Sequence, residues 1–319
     1  MRAFSLMRGS TRLGYHRFPF LYYAIREVEK LLKEFQPDFI SGHFCYPVGV
    51  WLSRMKSVQK FLITCHGPAL NETPGGPRQR YGIDQLLADS MNRAAGVVAI
   101  STHARRIMER IGVRPEKIID IPNGVDRNRL TASVDVSIRA RLGIPEDAVM
   151  ILSVGRESWA KAYDHGIQAF SRMAKAVPRA VYVIVGPGTG RWSQLARELD
   201  VGDRVIISSG LYGDDLMAAY QQADIFFLPS IKELCPLVVL EAMAAGLPEV
   251  VTNVSGSQDM IINGENGYVL EPGDIEGLAE ALGRLAEDAS MRKRMGAINR
   301  EKSAGYTWDI ISRKYLQHA

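Results

Sequence analysis

Short runs of β-branched and other apolar residues recur along the chain, and stretches with helical periodicity separate them. Runs that lack polar alternation indicate strands buried on both faces, as in parallel sheets covered by helices. Four runs end by residue 122 and six follow residue 147, namely "DFISGHF", "KFLITCHG", "GVVAIS" and "KIIDIP", then "AVMILSVG", "AVYVIVG", "RVIISSG", "ADIFFLP", "PEVVT" and "NGYVL". The sequence therefore predicts an α/β fold with two Rossmann-like, doubly wound domains facing each other across a crevice.

The composition fits this prediction and argues against other classes of protein. With 319 residues, 46% of them apolar and 23% charged, the chain is long enough for a core in each of two globular domains. The net charge of +4 is mild and does not indicate a nucleic-acid partner. Cys45, Cys65 and Cys235 are scattered and have no Cys-x-x-Cys spacing, which favours a reducing compartment over a disulfide framework or a zinc site.

Lysine and arginine outnumber aspartate and glutamate in the first sixty residues, where an aromatic cluster lies at positions 18 to 23. Such a segment could rest on an anionic membrane surface, although a solvated helix face is the more ordinary explanation. No apolar run approaches the ~18 residues that a membrane span needs, and no signal-peptide pattern opens the chain. We therefore expect a cytoplasmic protein, with peripheral contact to the inner membrane face as an extension of that expectation.

The decapeptide "KELCPLVVLE" carries a glutamate near each end of an uncharged segment. Glu233 follows a predicted strand, Pro236 suits the first turn of a helix, Gly246 suits its end, and Glu241 lies within that helix. Free amides at the start of the helix could bind phosphate, while the two carboxylates could bind hydroxyl groups on either side. A nucleotide sugar has this layout. Taken alone, however, the spacing also fits a loop glutamate and a surface-helix glutamate without a ligand.

Two further loops follow predicted strands. "SVGRESWAK" places Arg156 and Lys161 after one strand, where two cations suit a diphosphate, although both could be ordinary surface residues. "VIVGPGTG" places Gly186 and Gly188 after the next, which permits close approach of backbone to a ligand but is a weak signal alone. A nicotinamide dehydrogenase should carry an acid at the end of the following strand, and "RVIISSG" has none there.

In combination, these motifs resemble the retaining glycosyltransferases of group 1 (glycosyltransferase family four), which have the GT-B fold. The resemblance covers roughly residues 36 to 319 and is carried by "GR" with Lys161, by the Glu-x7-Glu pair, and by "VIVGPG", "ADIFFLPS", "EAMAAGLP", "NGENGYVLEPGD", "PNGVD" and "YTWDIISRKYLQ". It implies an acceptor-side domain over residues 1–130 and a donor-binding domain over 131–303. It also implies a closing helix over 304–319 that packs back on the first domain.

The resemblance further implies roles for individual residues. Arg156 and Lys161 would bind the donor diphosphate, and Glu233 would contact the sugar. Leu237 and Val238 would offer backbone amides to the phosphate, and Glu241 would bind ribose hydroxyls. His66, in "TCHGP", matches a histidine near the transferred sugar, although a strand-end histidine without a ligand is the ordinary alternative.

The implied activity is transfer of a sugar, with retention of configuration, from a nucleotide-diphosphate sugar to a glycan, lipid-linked or small-molecule acceptor. UDP and GDP are the expected nucleotides, and no cofactor is expected. The sequence contains no Asp-x-Asp motif, so we expect cations and the helix dipole, rather than a metal, to stabilise the leaving diphosphate. The alternative is a non-catalytic nucleotide-sugar-binding protein or a fragment that pairs with a partner chain. A hydrolase or epimerase of the same fold is a third possibility.

The sequence also departs from the pattern of the family. Ala162 stands where glycine usually follows the lysine, and Pro236 occupies a position often held by glycine. Glu249 replaces the usual apolar strand residue, and we expect it at an exposed strand end because burying a charge is costly. The opening "MRAFSLMRGSTRLGYHRF" shows no buried strand or glycine-rich turn. This suggests a shortened first domain, through truncation, a misassigned start, or a missing part supplied otherwise.

Overall fold

The computed structural model describes residues 19–58, 60–71, 74–254 and 256–318. The chain divides into two compact units. The first takes in the residues up to Ile100, together with Ala104–Asp120 and His318, and the second takes in Ser101–His103 and Ile121–Gln317. The opening segment of residues 1–18, which includes Arg2, Arg8, Arg12 and Arg17, lies outside the described residues.

Among the described residues, the first unit is built on a four-stranded parallel sheet with the order β1-β2-β3-β4. Its strands are β1 (Ser41–His43), β2 (Leu62–Cys65), β3 (Gly96–Ala99) and β4 (Ile118–Asp120). The helices of this part of the chain are α1 (Phe20–Phe35), α2 (Val50–Arg54), α3 (Pro77–Tyr81), α4 (Asp84–Arg93) and α5 (Thr102–Arg110). Residues of β2 and β3 are buried throughout, as expected for strands covered on both faces.

Within the described residues, the second unit contains a six-stranded parallel sheet with the order β7-β6-β5-β8-β9-β10. Its strands are β5 (Val149–Val154), β6 (Ala180–Val185), β7 (Val205–Ser208), β8 (Ile225–Leu228), β9 (Glu249–Thr252) and β10 (Gly267–Leu270). The order reverses between β5 and β8, which is the strand order of dinucleotide-binding Rossmann folds. In such sheets, ligands bind outside the carboxyl ends of the strands at the reversal.

Ten α-helices accompany this sheet in the described chain. They are α6 (Arg127–Thr131), α7 (Ile138–Leu142), α8 (Tyr163–Met173), α9 (Ser193–Glu198), α10 (Asp214–Gln222), α11 (Leu237–Ala245), α12 (Ser257–Met260), α13 (Ile275–Glu287), α14 (Ala289–Lys302) and α15 (Trp308–Leu316). Capping residues define several of their ends. Asp274 accepts a hydrogen bond from the Gly277 amide at the start of α13, and Asp288 does the same for Met291 in α14.

The second sheet has an apolar core on each face. Alternate residues of one strand enter different cores, so that Met150 and Leu152 join the cluster on one face and Ile151 joins the other. This burial on both faces explains why the strands lack a regular alternation of polar and apolar residues. Each of the ten apolar runs contains a strand, and both sheets are parallel, so the predicted α/β class is confirmed.

The position of Glu249 contradicts the sequence-based expectation. It begins β9 but is 0% exposed, and no described residue hydrogen bonds to either of its carboxylate oxygens. Burial raises the pKa of Glu249 well above its usual range. The expectation of an exposed strand end is therefore wrong, because Glu249 is paired with Phe226 of β8 on one side and with Gly267 of β10 on the other.

Among the residues that the structure describes, no helix is both long enough and apolar enough to cross a bilayer.

Candidate active site in the second unit

The loop after β5 carries both predicted cations. Gly155 begins this loop, and its carbonyl accepts a 2.7 Å hydrogen bond from the Tyr163 hydroxyl at the start of α8. A Cβ on Gly155 would lie 2.9 Å from Lys161 Cε, so the lysine side chain packs directly against this glycine. The loop therefore folds back over its own start and holds Lys161 against the end of β5.

Lys161 and Glu233 form an ion pair in which Nζ lies 2.8 Å from Oε1. Their side chains are only 14% and 17% exposed, which makes the pair better shielded from solvent than a typical surface pair. The Ser230 hydroxyl donates to the same Oε1 at 3.0 Å. Because β5 and β8 are adjacent and parallel, the loops that follow them meet at one edge of the sheet. The structure thus brings together two of the predicted site residues from distant parts of the sequence.

Arg156 lies next to Gly155 in the same loop. Its side chain is exposed, and it forms no ion pair with any residue that the structure describes. An exposed guanidinium without a carboxylate partner can bind an anionic ligand by donating two parallel hydrogen bonds to it. Its predicted contact with a diphosphate stays a prediction.

Gly186 and Gly188 have a packing role in this structure. A Cβ on Gly186 would overlap the Gly155 carbonyl, and a Cβ on Gly188 would lie 2.9 Å from Glu157 Cβ. Gly188 also has φ of 82°, in the left-handed region that favours glycine. These glycines therefore allow the loops after β5 and β6 to approach each other closely, and a contact with a ligand remains a prediction.

Helix α11 begins one residue later than the sequence suggested. Pro236 is its N-cap residue rather than a residue of its first turn, because Pro236 has an extended ψ of 112°. No side chain caps this end. The amides of Leu237 and Val238 have no acceptor within the helix, whereas the Val239 amide donates to the Pro236 carbonyl at 3.1 Å. The side chain of Leu237 is 45% exposed, so this helix end is open to solvent, and Gly246 ends the helix with φ of 81° as expected.

Glu241 lies in α11, beside a cavity of about 200 Å³. Its Oε2 accepts a 2.7 Å hydrogen bond from the hydroxyl of Tyr220 in α10. The other walls of the cavity include Gly124, Asp126, Arg129, Met217, Leu237 and Trp308. Leu237 and Glu241 thus share one cavity, and the short segment from Glu233 to Leu237 links it to the Lys161–Glu233 pair. This layout can hold a ligand with an anionic centre and a hydroxyl-bearing end.

Ala162 follows Lys161 with φ of 46° and ψ of 47°. This is the left-handed region, which is unfavourable for residues other than glycine. The sequence comparison with the family had left open whether the backbone needs a positive φ here. In the structure the backbone does have a positive φ at this position, and Ala162 adopts this conformation between the turn at Lys161 and the start of α8.

In the first unit, His66 follows β2 and lies beside His43 at the end of the adjacent strand β1. His43 Nδ1 is 2.9 Å from His66 Nε2, and the two rings stack at an interplanar angle of 8°. Burial, and to a lesser extent the charge of His43, lower the pKa of His66 to about 4. Burial also lowers the pKa of His43. Both imidazoles are therefore neutral near pH 7. In the hydrogen bond between them, one of the two nitrogens carries the proton and donates it to the other.

Sequence reasoning missed His43, Tyr220 and Trp308. His43 could have been found, because "SGHF" and "TCHG" place a histidine at the end of two predicted neighbouring strands. Tyr220 had no comparable signal, since its partner Glu241 lies in another helix and only packing brings them together. Trp308 belongs to the last helix, and its contact with Gly124 depends on the whole second unit.

Comparison with known proteins supports the resemblance. Residues 135–302 match the family described as Glycosyl transferases group 1, and residues 4–129 match Glycosyltransferase Family 4. A D-inositol 3-phosphate glycosyltransferase of Stackebrandtia nassauensis is 31% identical over 251 residues, which is 75% of this chain and 56% of that protein. Across three such relatives, the chain spans 56–64% of their lengths.

Solved structures share the fold. Sucrose-phosphate synthase of Thermosynechococcus elongatus superposes with a TM-score of 0.79 at 24% identity, covering 94% of this chain and 77% of that one. Anabaena HepE, in complex with UDP, also gives 0.79 at 18% identity, covering 94% of this chain and 81% of HepE. At these identities the likeness shows the fold alone. The family match extends over more than half of the chain, and the chain therefore belongs to the group 1 glycosyltransferases.

Proposed function

We propose that this chain transfers a sugar from a nucleotide-diphosphate sugar, with UDP or GDP as the nucleotide, to a glycan, lipid-linked or small-molecule acceptor. We further propose that transfer proceeds with retention of configuration and without a metal. The observation that carries the proposal is the Lys161–Glu233 ion pair at the edge where β5 and β8 end, next to the uncapped start of α11.

The chemistry of sugar transfer explains why this arrangement suits a donor. Breaking the bond between sugar and diphosphate leaves negative charge on the departing phosphate, and preorganised donors that stabilise such charge contribute about 3–4 kcal/mol each. Lys161, Arg156 and the first-turn amides of α11 supply cationic and dipolar groups of this kind. The sequence has no Asp-x-Asp motif, which supports the proposal that these groups act in place of a metal.

Glu233 and Glu241 would bind the two ends of the donor. Glu233 already accepts hydrogen bonds from Lys161 and Ser230, so its carboxylate is held in place before any sugar arrives. Glu241 borders the cavity of about 200 Å³, where it would take the ribose hydroxyls. His66 would lie near the transferred sugar if the family's role for this histidine carries over to this chain.

The relatives support both halves of the reaction. The curated relatives are named as glycosyltransferases that act on D-inositol 3-phosphate, and HepE was solved with UDP. These names describe those proteins. For this chain they support a nucleotide-linked donor and an acceptor with hydroxyl groups.

The test is a thermal-shift panel with UDP, GDP and ADP on the wild type and on Glu241→Ala. A ligand at a hundred times its dissociation constant adds about 2.7 kcal/mol of stability. We expect one nucleotide to stabilise the wild type and not the variant. If no nucleotide stabilises the wild type at millimolar concentration, the proposed donor site is wrong.

Turnover separates the enzyme from its alternatives. Release of nucleotide that depends on acceptor, persists in EDTA, and gives a product with the donor's anomeric configuration by NMR supports the full proposal. Donor consumption without acceptor would indicate a hydrolase or epimerase. Nucleotide binding with no turnover toward any acceptor would favour a binding protein or a partner-dependent subunit.

We also propose peripheral contact between α1 and an anionic membrane surface. Tyr22, Arg26, Lys30 and Lys33 are exposed and recur at intervals of three or four residues, which places them on one side of the helix. Basic and aromatic side chains on one face favour binding to anionic lipid. Co-sedimentation with phosphatidylglycerol vesicles but not with phosphatidylcholine vesicles would support this contact, and its persistence after K30E/K33E would contradict it.

A further inference from the structure

The hydrogen bond between Tyr220 and Glu241 joins a buried residue to one that borders the cavity. The Tyr220 hydroxyl donates to Glu241 Oε2 at 2.7 Å. Tyr220 is 0% exposed, whereas Glu241 is only partly buried. The bond therefore runs from the core of the second unit out to a proposed ligand-binding side chain.

Packing fixes the position of this tyrosine. Its ring lies in the apolar cluster on one face of the second sheet and stacks on Phe226, with the ring centroids 6.0 Å apart at an angle of 26°. Burial, together with the negative charge of Glu241, raises the pKa of Tyr220 well above its usual range. The hydroxyl is thus held in one place, and it stays protonated as a donor across the physiological pH range.

The fixed donor leaves one carboxylate oxygen for a ligand. Glu241 Oε1 makes no hydrogen bond with a residue that the structure describes, whereas Oε2 is engaged by Tyr220. Once one oxygen is anchored, rotation of the carboxylate is restricted, and the second oxygen keeps a defined direction. A side chain held in this way loses less conformational entropy when it binds a ligand.

We propose that Tyr220 is a positioning residue that orients Glu241 toward the vicinal hydroxyls of a ribose, and that it thereby sets the preference of the site for ribonucleotides. This inference rests on the proposed function, because it assumes that the cavity beside Glu241 takes the nucleoside. Tyr220 itself would not touch the ligand. Its effect would be carried entirely through Glu241.

The experiment measures the dissociation constants of UDP and GDP and of their 2′,3′-dideoxy counterparts by calorimetry. For the nucleotide that binds, we expect the wild type to prefer the ribose form by about tenfold or more, as for a lost hydrogen bond to a charged group. Tyr220→Phe should lower this ratio at least threefold by weakening the ribose form alone. Glu241→Ala should bring the ratio close to one, and the double variant should match Glu241→Ala.

Tyr182→Phe is the matched control. Tyr182 is also fully buried in the second unit, but its hydroxyl pairs with Ser153 Oγ at 2.8 Å rather than with Glu241. A general loss of stability would affect both tyrosine variants, while a change in the ribose preference should appear only in Tyr220→Phe. An equal loss of preference in Tyr182→Phe would overturn the inference.

The outcomes separate the inference from the proposed function. If Glu241→Ala loses the preference and Tyr220→Phe keeps it, the positioning role is wrong and the donor site stands. If neither UDP nor GDP binds the wild type, the proposed function and this inference are both overturned. Should Tyr220→Phe fail to fold, Tyr220→Met removes the same hydroxyl and fills the space with a flexible apolar side chain. An unchanged preference in that folded variant would then count against the inference.

Discussion

Glu249 lies directly opposite Gly267 across the pairing of β9 with β10, where a Cβ on the glycine would overlap the Glu249 carbonyl and lie 2.8 Å from Ile261 Cγ2. Glu249 therefore lies where the backbones of β9 and β10 leave no room for a side chain at position 267. Its carboxyl group is fully buried and has no hydrogen-bond partner among the described residues.

We expect Glu249→Met to raise the free energy of unfolding at pH 7 by about 1–3 kcal/mol, because it removes a buried polar group without a partner and keeps a similar volume. The pH profile gives a second readout. Since the pKa of Glu249 is higher in the folded state, the unfolded chain loses this proton first as the pH rises. Stability should therefore decline above about pH 4.3, the usual glutamate pKa.

Urea unfolding of the wild type and Glu249→Met between pH 4 and 8 checks both expectations. The gain from the substitution should grow as the pH rises. Glu249→Gln serves as the control, because it removes the titration but keeps the unpaired polar group. A variant that is less stable than the wild type at pH 7 would mean that the carboxylate has a favourable partner.

The histidine pair should make the first unit sensitive to acid. The pKa of His66 is lowered from its usual 6.5 to about 4, and that of His43 is also lowered. The unfolded chain therefore binds protons first as the pH falls, so that stability is fully present above pH 6.5 and is lost between 6.5 and about 4. His43→Asn should raise the pKa of His66 only in part, since burial is its main cause. NMR titration of the His66 ring measures this shift, and an unshifted or lower value would contradict it.

Lys161 and Glu233 should be coupled in stability. We expect Lys161→Met and Glu233→Gln each to lower the free energy of unfolding by about 1–2 kcal/mol, because each leaves a poorly solvated charge without its partner. The double variant should lose less than the sum of the two, by at least about 0.5 kcal/mol. Chemical denaturation of the four proteins gives this cycle. Strict additivity would show that the 2.8 Å contact contributes nothing.

The glycines after β6 allow a test with an internal control. Gly186→Ala should lower the free energy of unfolding by about 2 kcal/mol or more, because its Cβ would overlap the Gly155 carbonyl. Gly190→Ala should be nearly neutral, since no atom lies within 4 Å of its added Cβ. Thermal unfolding compares the two. Equal effects would show that the close approach of the two loops is not a constraint.

Ala162→Gly should stabilise the protein, although glycine is usually the more flexible residue. The left-handed conformation costs a residue with a Cβ about 1–2 kcal/mol, while the added freedom of the unfolded chain returns about 0.4–1 kcal/mol of that. We therefore expect a net gain of about 0.5 kcal/mol in chemical denaturation. Ala279→Gly, in the right-handed helix α13, should instead lose about 1 kcal/mol.

The strands could be predicted from sequence because burial on both faces requires continuous apolar runs, which is a local signal. The meeting of the loops after β5 and β8 could be predicted from the same signal, since the carboxyl ends of parallel strands lie at the same edge of the sheet. Glu249 was misplaced because its burial depends on the two strands that pair with it, which the sequence of β9 alone does not show. The Tyr220–Glu241 bond depends on the packing of α10 against α11, which no spacing within either helix encodes.

The pairing of β5 with β8 also sets the order in which this protein can form during synthesis. This pairing joins Ile151 and Leu152 of β5 to Ile225 and Phe226 of β8. Next to it, the Met150 amide and the Arg139 guanidinium both donate hydrogen bonds to Asp224. The edge of β5 that faces β8 must therefore stay unpaired until β8 leaves the ribosome, because long-range parallel pairing cannot precede its partner strand. Lys161 and Glu233 lie in the loops that follow β5 and β8, so their ion pair can form only after these two strands have paired.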